Sequence, residues 1–307
     1  MGLAGVTPVL RGAFEATGSP AWIMQLIRAR GIDRRHGFRL ELVLGGDRVG
    51  PALQATEATL AAGEADLIDT DWISVARCRQ QGLDLVAVHP YGRIMGGVVV
   101  PAGSPRQHLA ALRDCRVGVV RRLDKNWAVV RAACLSRHGF DPQAAATVVE
   151  AGSKTVLLDW LNSGAVDAAV LYWHLVPALV TGGRFRQLCD VLDLLPNGQP
   201  GPPTTFFTLH ESFVARNAPL VAAFVAAYRE GVAVMRADPG AWPPLSLSPE
   251  AFTGLRAAWK RRICADWQAG DVERLGRLFE HLKSIGGTDA LGVAAIPPGT
   301  FAPAFAA

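Results

Sequence analysis

The most constraining feature of this sequence is that short apolar runs, rich in Val and Leu, alternate with longer segments whose apolar residues recur at helical spacing. The first unit reads as strand Val9–Phe14, helix Ala21–Arg30 and strand Arg39–Leu44. Similar units follow as far as a strand at Ala168–Leu171. Strands that alternate with helices of this length are typical of βαβ units, which build mainly parallel sheets. The sequence therefore predicts an α/β fold.

Two clusters of breaker residues divide the 307-residue chain, which is long enough for two domains of roughly 100–200 residues. Pro101–Pro105 contains two prolines and a glycine, and the loop Leu195–Pro203 is rich in Pro and Gly. We expect the chain to change lobes near each cluster. The predicted lobes are residues 1–92 plus 205–307, and residues 93–204. The tail from Ile296 onward contains Pro297, Pro298 and Gly299, and we expect it to be poorly ordered.

An internal repeat relates the two predicted lobes. Gly63–Trp72 aligns without a gap with Gly164–Trp173, and Gly, Asp and Trp fall at the same three offsets. In each copy the pattern predicts a helix that ends at the Gly, a strand after the Asp, and a Trp where that strand leads into the next helix. A looser pair has the same arrangement, with Trp22 after the first strand and Trp127 after a strand at 116–120.

These four tryptophans predict a cleft between the lobes. Ligands of open parallel sheets bind beyond the carboxyl ends of the strands. If the two lobes face each other, Trp22, Trp72, Trp127 and Trp173 converge there and can stack on a planar ring or surround a cation. The alternative is that each Trp packs the start of a helix against its sheet. We interpret the repeated position of the four as favouring the cleft.

Polar residues next to the tryptophans complete the predicted binding site. They are Glu15, Thr17, Ser19, Asp69, Asp71, Lys125, Tyr172 and His174. Some of them are also expected to cap helices, the usual role of Asp, Ser and Thr at such positions. Mainly acidic loops in lobe 1 opposite Lys125 suit a ligand with both donor and acceptor groups, or a zwitterion. A planar heterocycle, an amine and an anionic solute all stay open.

Composition and missing motifs exclude several other functions. Charged residues make up 19% of the chain, the net charge is +4, and no long run of like charges occurs, so nucleic-acid binding is not expected. The longest apolar stretch, Leu220–Tyr228, is shorter than the roughly 20 residues of a membrane span. The five cysteines are far apart and are expected to be small buried residues.

The sequence also lacks the marks of an enzyme. It contains no G-x-S-x-G, P-loop, H-E-x-x-H or G-x-G-x-x-G motif, and its seven histidines are dispersed. We therefore expect no catalytic residues, no metal and no cofactor.

Three segments resemble the substrate-binding proteins of the nitrate, sulfonate, taurine and thiamine-pyrimidine ABC importers, the NMT1/THI5-like family. Gly31–Glu41 resembles the turn between the family's first helix and second strand. The segment Val98–Pro105, followed by Leu109–Gly118, resembles its hinge strand and entry to the second lobe. Gly164–Ala168 with Trp173 and Pro177 resembles the strand and helix start that line its cleft.

The resemblance implies a periplasmic-binding-protein-like fold of type II, with two α/β lobes and a ligand cleft between them. It also implies a small-molecule ligand, an ABC transporter permease as partner and a periplasmic location. We expect a monomer that is at most peripheral to the membrane. The N-terminal residues show no secretory signal, so a cytoplasmic location is the alternative.

Two other functions stay open on the same fold. One is an enzyme, although the aromatic sulfinate desulfinases that resemble this family use a cysteine in the first strand-to-helix loop, and Glu15–Trp22 contains none. Pyrimidine-synthesis enzymes of this fold carry a cysteine-rich motif that is also absent. The other is a cytoplasmic small-molecule sensor, but no N-terminal helix-turn-helix segment is present to make it a transcription regulator.

Overall fold

The computed structural model describes residues 7–49, 53–94, 96–196 and 201–302. Their strands form two five-stranded sheets. The first sheet contains β1 (Val9–Glu15), β2 (Arg39–Gly45), β3 (Leu67–Asp71), β4 (Leu85–Gly92) and β10 (Thr205–His210). The second contains β5 (Gly96–Pro101), β6 (Arg116–Val119), β7 (Thr147–Glu150), β8 (Ala168–Tyr172) and β9 (Phe185–Asp190). We call the two sheets, each with the helices packed on it, lobe 1 and lobe 2.

Helices connect the strands and cover the sheets. They are α1 (Ser19–Ala29), α2 (Ile32–Arg35), α3 (Ala55–Ala61), α4 (Trp72–Gln80), α5 (Lys125–His138), α6 (Pro142–Ala145), α7 (Lys154–Ser163), α8 (Val176–Thr181), α9 (Glu211–Arg216), α10 (Ala218–Ala237), α11 (Pro249–Arg262), α12 (Asp271–Lys283) and α13 (Gly287–Leu291). Short 3₁₀ turns occur at Leu109–Leu112, Val191–Leu194 and Pro239–Ala241.

The two sheets have equivalent topologies. Their strand orders are β2-β1-β3-β10-β4 and β7-β6-β8-β5-β9. In each sheet the first three strands are parallel, and the fourth pairs antiparallel with both of its neighbours. The prediction of two α/β lobes is confirmed.

The chain changes sheets at two connections. The first lies between the end of β4 at Gly92 and the start of β5 at Gly96, and the second lies between β9 and β10. The expectation that the first change occurs near Pro101–Pro105 is therefore wrong, because these residues follow β5, which already belongs to the second sheet.

Two members of the sequence repeat have the same structural role in both lobes. Gly63 and Gly164 follow helices with φ of 71° and 75°, a backbone region that glycine enters without steric cost. Asp66 accepts a hydrogen bond of 2.9 Å from the backbone N–H of Arg11, and its own N–H donates to the Arg11 carbonyl. Asp167 forms the same two bonds with Arg116. In each lobe the repeated Gly therefore ends a helix, and the repeated Asp joins the start of the next strand to the neighbouring strand.

The tail after Ile296 is ordered as far as residue 302, so the expectation of a poorly ordered tail is wrong there; residues 303–307 lie outside the described residues. Ala302 N–H donates to the Ala87 carbonyl, and Ala87 N–H donates to the Thr300 carbonyl, each at 2.9 Å. The Phe301 ring lies 5.7 Å from Phe206 and 6.1 Å from Trp267, centroid to centroid. The tail therefore covers β4, an edge strand of its sheet.

Helix α10 is long and apolar enough to cross a membrane by length and composition alone. Half of it is buried, however, and its buried residues, including Phe224, Tyr228 and Val232, recur three or four positions apart and belong to the core of lobe 1. We interpret α10 as a core helix.

We expect Phe301→Ala to lower the free energy of unfolding by about 1–3 kcal/mol. This is less than the 3–5 kcal/mol of a fully buried Phe, because Phe301 is only partly buried. Val272→Ala, at a side chain that is 40% exposed, is the control and should change it by less than about 0.5 kcal/mol. Chemical denaturation of both variants measures the difference, and equal losses would mean that the tail does not stabilise the fold.

Candidate functional site

A polar cavity of about 70 Å³ lies between the two lobes. It is bounded by the carboxyl ends of β1, β3 and β8 and by the first residues of the helices that follow strands. The lining residues are Glu15, Thr17, Gly18, Ser19, Pro20, Gln54, Thr56, Asp69, Thr70, Asp71, Tyr91, Lys125, Lys154, Tyr172, Trp173, His174 and Thr205.

Lobe 1 contributes the carboxylates of the cavity. Glu15 is the last residue of β1, and Asp69 and Asp71 are the third and the last residues of β3, so parallel pairing brings all three to one edge of the sheet. Asp71 is also the N-cap of α4, and one of its oxygens accepts hydrogen bonds of 3.0 Å from the N–H groups of Ile73 and Ser74.

Lobe 2 contributes the cations. Lys125 is the first residue of α5 and follows β6, whereas Lys154 is the first residue of α7 and follows β7. The Lys154 ammonium lies 4.8 Å above the centre of the Tyr172 ring. The Tyr172 hydroxyl donates a hydrogen bond of 2.8 Å to Asp124, the N-cap of α5, which fixes the ring beside this helix start.

Ion pairs join the two walls. The Lys154 ammonium contacts the Glu15 carboxylate, and an Asp71 oxygen lies 3.5 Å from Arg121 and 3.9 Å from Lys125. Burial opposes ionisation of Asp71, but the positive charges of Lys125, Arg77 and Arg121 outweigh it and lower the pKa of Asp71 below its ordinary value. Asp71 is therefore a carboxylate at neutral pH, although only 4% of it is exposed.

Asp69 has a different environment from the other two carboxyl groups. Its hydrogen-bond partner is the Tyr91 hydroxyl, which donates at 3.2 Å. Burial raises the pKa of Asp69 to about 6, against the smaller opposing effects of Tyr91 and Lys125. Across the cavity, burial lowers the pKa of Lys154 to about 8. Both side chains therefore titrate much closer to neutrality than an exposed Asp or Lys does.

Two of the fully buried polar side-chain atoms of the lining have no hydrogen-bond partner among the described residues. They are Nε2 of His174 and Oγ1 of Thr205, and both are buried. Burial and the Lys154 charge hold the pKa of His174 well below 6.5, so the ring is neutral at pH 7. His174 also lies against the start of α1, where a Cβ on Gly18 would be 3.8 Å from the ring. A buried polar group without a partner is unfavourable, so these atoms favour a polar ligand.

Nine of the twelve predicted site residues line this cavity. They are Glu15, Thr17, Ser19, Asp69, Asp71, Lys125, Tyr172, Trp173 and His174. Whether they bind a ligand stays a prediction.

The prediction that four tryptophans line the cleft is wrong for three of them. Trp72 and Trp127 are fully buried in the core, and the Trp127 indole donates to Gln143 at 2.8 Å. Trp22 packs in the core of lobe 1, where its ring meets Trp173 edge to face at a centroid distance of 6.2 Å. Only Trp173, which is 4% exposed, lines the cavity.

Trp72 and Trp173 lie in different environments because the helix that follows each strand begins at a different point. Helix α4 starts at Trp72 itself, directly after β3, and the indole packs in the core. In lobe 2, a turn at Trp173–Leu175 precedes α8, which starts at Val176. Trp173 therefore stays at the edge of the sheet, and equal offsets in sequence do not give equal positions in space.

The sequence interpretation missed Lys154, Tyr91 and Thr205 among the lining residues. Lys154 follows a strand in the same way as Lys125, so the same reasoning applied to β7 would have found it. Tyr91 and Thr205 meet because β10 pairs with β4 across more than a hundred residues of sequence, and no local pattern signals that pairing. Gln54 is the N-cap of α3 and Thr56 lies in its first turn, and neither was predicted as a site residue.

The described residues contain no cluster of three or more His, Cys, Asp or Glu side chains that could hold a metal ion. The five cysteines are free thiols, and four of them are buried.

We compared the chain with known protein families, curated sequences and solved structures. The profile of the family described as NMT1/THI5 like matches residues 34–241. Among curated protein sequences, none matches this chain significantly.

Solved structures match over nearly the whole chain. The alkanesulfonate-binding protein SsuA from Xanthomonas axonopodis pv. citri, bound to MOPS, is 16% identical, with a TM-score of 0.78 over 97% of this chain and 99% of that chain. The periplasmic aliphatic sulphonate binding protein SsuA from Escherichia coli is also 16% identical, with a TM-score of 0.72 over 95% and 91%. A Candida albicans protein described as having the generic periplasmic binding protein fold is 15% identical, with a TM-score of 0.66 over 92% and 93%. The predicted periplasmic-binding-protein-like fold is confirmed.

We expect Asp69→Asn to make the unliganded protein more stable at pH 7 and to leave its stability at pH 4 nearly unchanged. The pKa of Asp69 is raised in the folded state, so its contribution to stability is complete below about pH 4 and is lost as the pH rises through about 6. The asparagine cannot ionise, so the variant should gain roughly 1–3 kcal/mol over the wild type across that range.

Denaturation curves at half-unit intervals from pH 4 to pH 7 measure this gain. Asp159→Asn, at an exposed position, is the control for the removal of one carboxylate, and the gain of Asp69→Asn is measured relative to it. The assignment of a desolvated carboxyl to Asp69 would be wrong if both variants followed the wild type at every pH.

Proposed function

The chain belongs to the NMT1/THI5-like family, and from that premise we propose that it is the solute-binding component of an ABC importer. In this proposal a small polar organic solute binds in the cavity between the lobes. The chain then delivers the solute to a membrane permease, and it has no catalytic activity of its own.

One observation carries the proposal: the cavity is buried between two lobes that supply opposite charges. Glu15, Asp69 and Asp71 come from lobe 1, whereas Lys125 and Lys154 come from lobe 2. A solute that touches both walls favours the closed arrangement of the lobes, because its contacts are complete only when they are together. Because binding is coupled to closure, a permease can distinguish the ligand-bound protein from the ligand-free protein by its conformation.

The cavity favours a small ligand that carries both signs of charge. A volume of about 70 Å³ has room for roughly five water molecules in the closed arrangement. Among the described residues, Asp69 is the carboxyl group of the cavity for which no ion pair is found, and it suits an ammonium or another donor. The start of α1 has no side-chain cap and suits an acceptor or an anionic group, and Nε2 of His174 next to it suits a polar partner.

The proposed lobe boundaries are residues 1–92 plus 205–307, and residues 93–204. The two connections between the sheets are then the hinge, as in other proteins that close on a ligand. The similarity to proteins named as periplasmic supports a periplasmic location and a permease partner for this chain. We further propose that it acts as a monomer.

An enzymatic role on the same fold finds less support. Among the described residues no cysteine lines the cavity, and no hydrogen bond joins a hydroxyl of the lining to His174. The low pKa of His174 also makes it a poor general base near neutrality.

A thermal-shift screen of sulfonates, amines, zwitterionic amino acids and aminosulfonates, carboxylates and pyrimidines tests the proposal. At 100 times its dissociation constant, a ligand should stabilise the fold by about 2.7 kcal/mol. The double variant Glu15→Gln/Lys154→Met removes both members of one ion pair and leaves no unpaired buried charge between them. Titration calorimetry should show about 10- to 100-fold weaker binding of the best ligand.

The matched control is Glu273→Gln/Arg277→Gln, which removes an exposed ion pair on α12 and should leave the affinity unchanged. Two outcomes contradict the proposed function: no compound class raises the melting temperature, or the Glu15/Lys154 variant binds as tightly as the control.

A further inference from the structure

A second cavity, larger than the polar one, is also lined by Trp173. It has a volume of about 320 Å³ and lies between α8 and β9 of lobe 2 and α11, which packs in the core of lobe 1. Its walls are mainly apolar and include Val176, Pro177, Val180, Ala257 and Ala258. Val180 is 39% exposed, so this cavity is open to solvent along one side.

Charge is balanced at the polar end of the second cavity. Arg262 is 2% exposed and binds both oxygens of Asp190 at 2.5 Å, and Arg261 contacts Asp190 and Asp193. Because two arginines face two aspartates, this end offers little net attraction to a charged ligand. Its apolar walls instead suit an uncharged hydrocarbon group.

Trp173 is the residue that the two cavities share. It lines both of them and is 4% exposed. Its ring is held edge to face by Trp22 at 6.2 Å and by His174 at 5.9 Å, and the Arg262 guanidinium lies 5.8 Å from it on the side of the second cavity. Trp173 is therefore a packed wall between a small polar space and a larger apolar one.

We propose that Trp173 sets the length of solute that this protein accepts, because its indole closes the polar cavity off from a neighbouring apolar cavity that could hold a hydrocarbon tail. The inference rests on the proposed function. The polar head of the solute lies in the first cavity, and the indole stops the tail after a few atoms. A smaller residue at position 173 joins the two cavities and admits solutes with a polar head and a longer unbranched tail.

Burial of one methylene group changes affinity by roughly fourfold. In the wild type, affinity should therefore stop rising, or fall, after the first few carbons of a homologous series. In Trp173→Ala it should continue to rise by up to that factor for each methylene that enters the apolar cavity. The ratio of long-chain to short-chain affinity should increase at least tenfold.

The test uses n-alkanesulfonates and n-alkylamines of one to eight carbons, titrated into the wild type, Trp173→Ala, Trp173→Leu and the control Trp160→Ala. Trp160 lies on α7, is partly buried and lines neither cavity. Adding Ala258→Phe to Trp173→Ala refills the apolar cavity and should abolish the gain for long chains without affecting short ones. Trp173→Leu serves as a milder substitution in case the alanine variant does not fold.

Three results would overturn the inference alone: wild-type affinity that rises through eight carbons, an unchanged chain-length profile in the Trp173 variants, or a gain that survives Ala258→Phe. Failure of both series to bind any of these proteins would instead contradict the proposed function for sulfonates and amines, and the inference with it. A chain-length limit in the wild type and in Trp160→Ala that is relieved at Trp173 supports the proposal.

Discussion

The structure depends on the neutralisation of buried charge between the two lobes. Lys125 and Lys154 are only 6% and 8% exposed, and Asp71 is 4% exposed. Taking an unpaired ion out of water costs several kcal/mol, so pairing between the lobes offsets much of the cost of burying these groups. Ion pairs between the lobes, as well as apolar packing, therefore hold the two lobes together in this structure.

The two lobes have the same topology, but their side chains at the cavity carry opposite charges. Equivalent strand orders and the repeated Gly and Asp place the same strand ends at the cavity in both lobes. The side chains at those ends are acidic in lobe 1 and basic in lobe 2. A difference of three residues in where a helix begins then buries Trp72 and leaves Trp173 at the cavity, next to a second, apolar space. Small local changes thus give two similar lobes complementary surfaces.

Much of this could be predicted from sequence, because parallel strands bring their carboxyl ends together. That rule was sufficient for Glu15 and Asp69, which lie at or near the carboxyl ends of β1 and β3, and for Lys125, which begins the helix after β6. It was not sufficient for Tyr91 and Thr205, whose neighbourhood depends on antiparallel pairing between distant segments, or for Trp72, whose direction depends on the first residue of α4. The order of the tail was also missed, because its pairing with Ala87 depends on an exposed strand edge that no local pattern reveals.

The most direct test of the central claim, that the cavity between oppositely charged lobes is the ligand site, is a crystal structure with the strongest ligand from the screen. We expect the ligand in the polar cavity, with polar atoms within hydrogen-bond distance of Glu15 or Asp69 on one wall and of Lys154 or His174 on the other. A ligand that binds to one lobe only, or outside the cavity, would contradict the account.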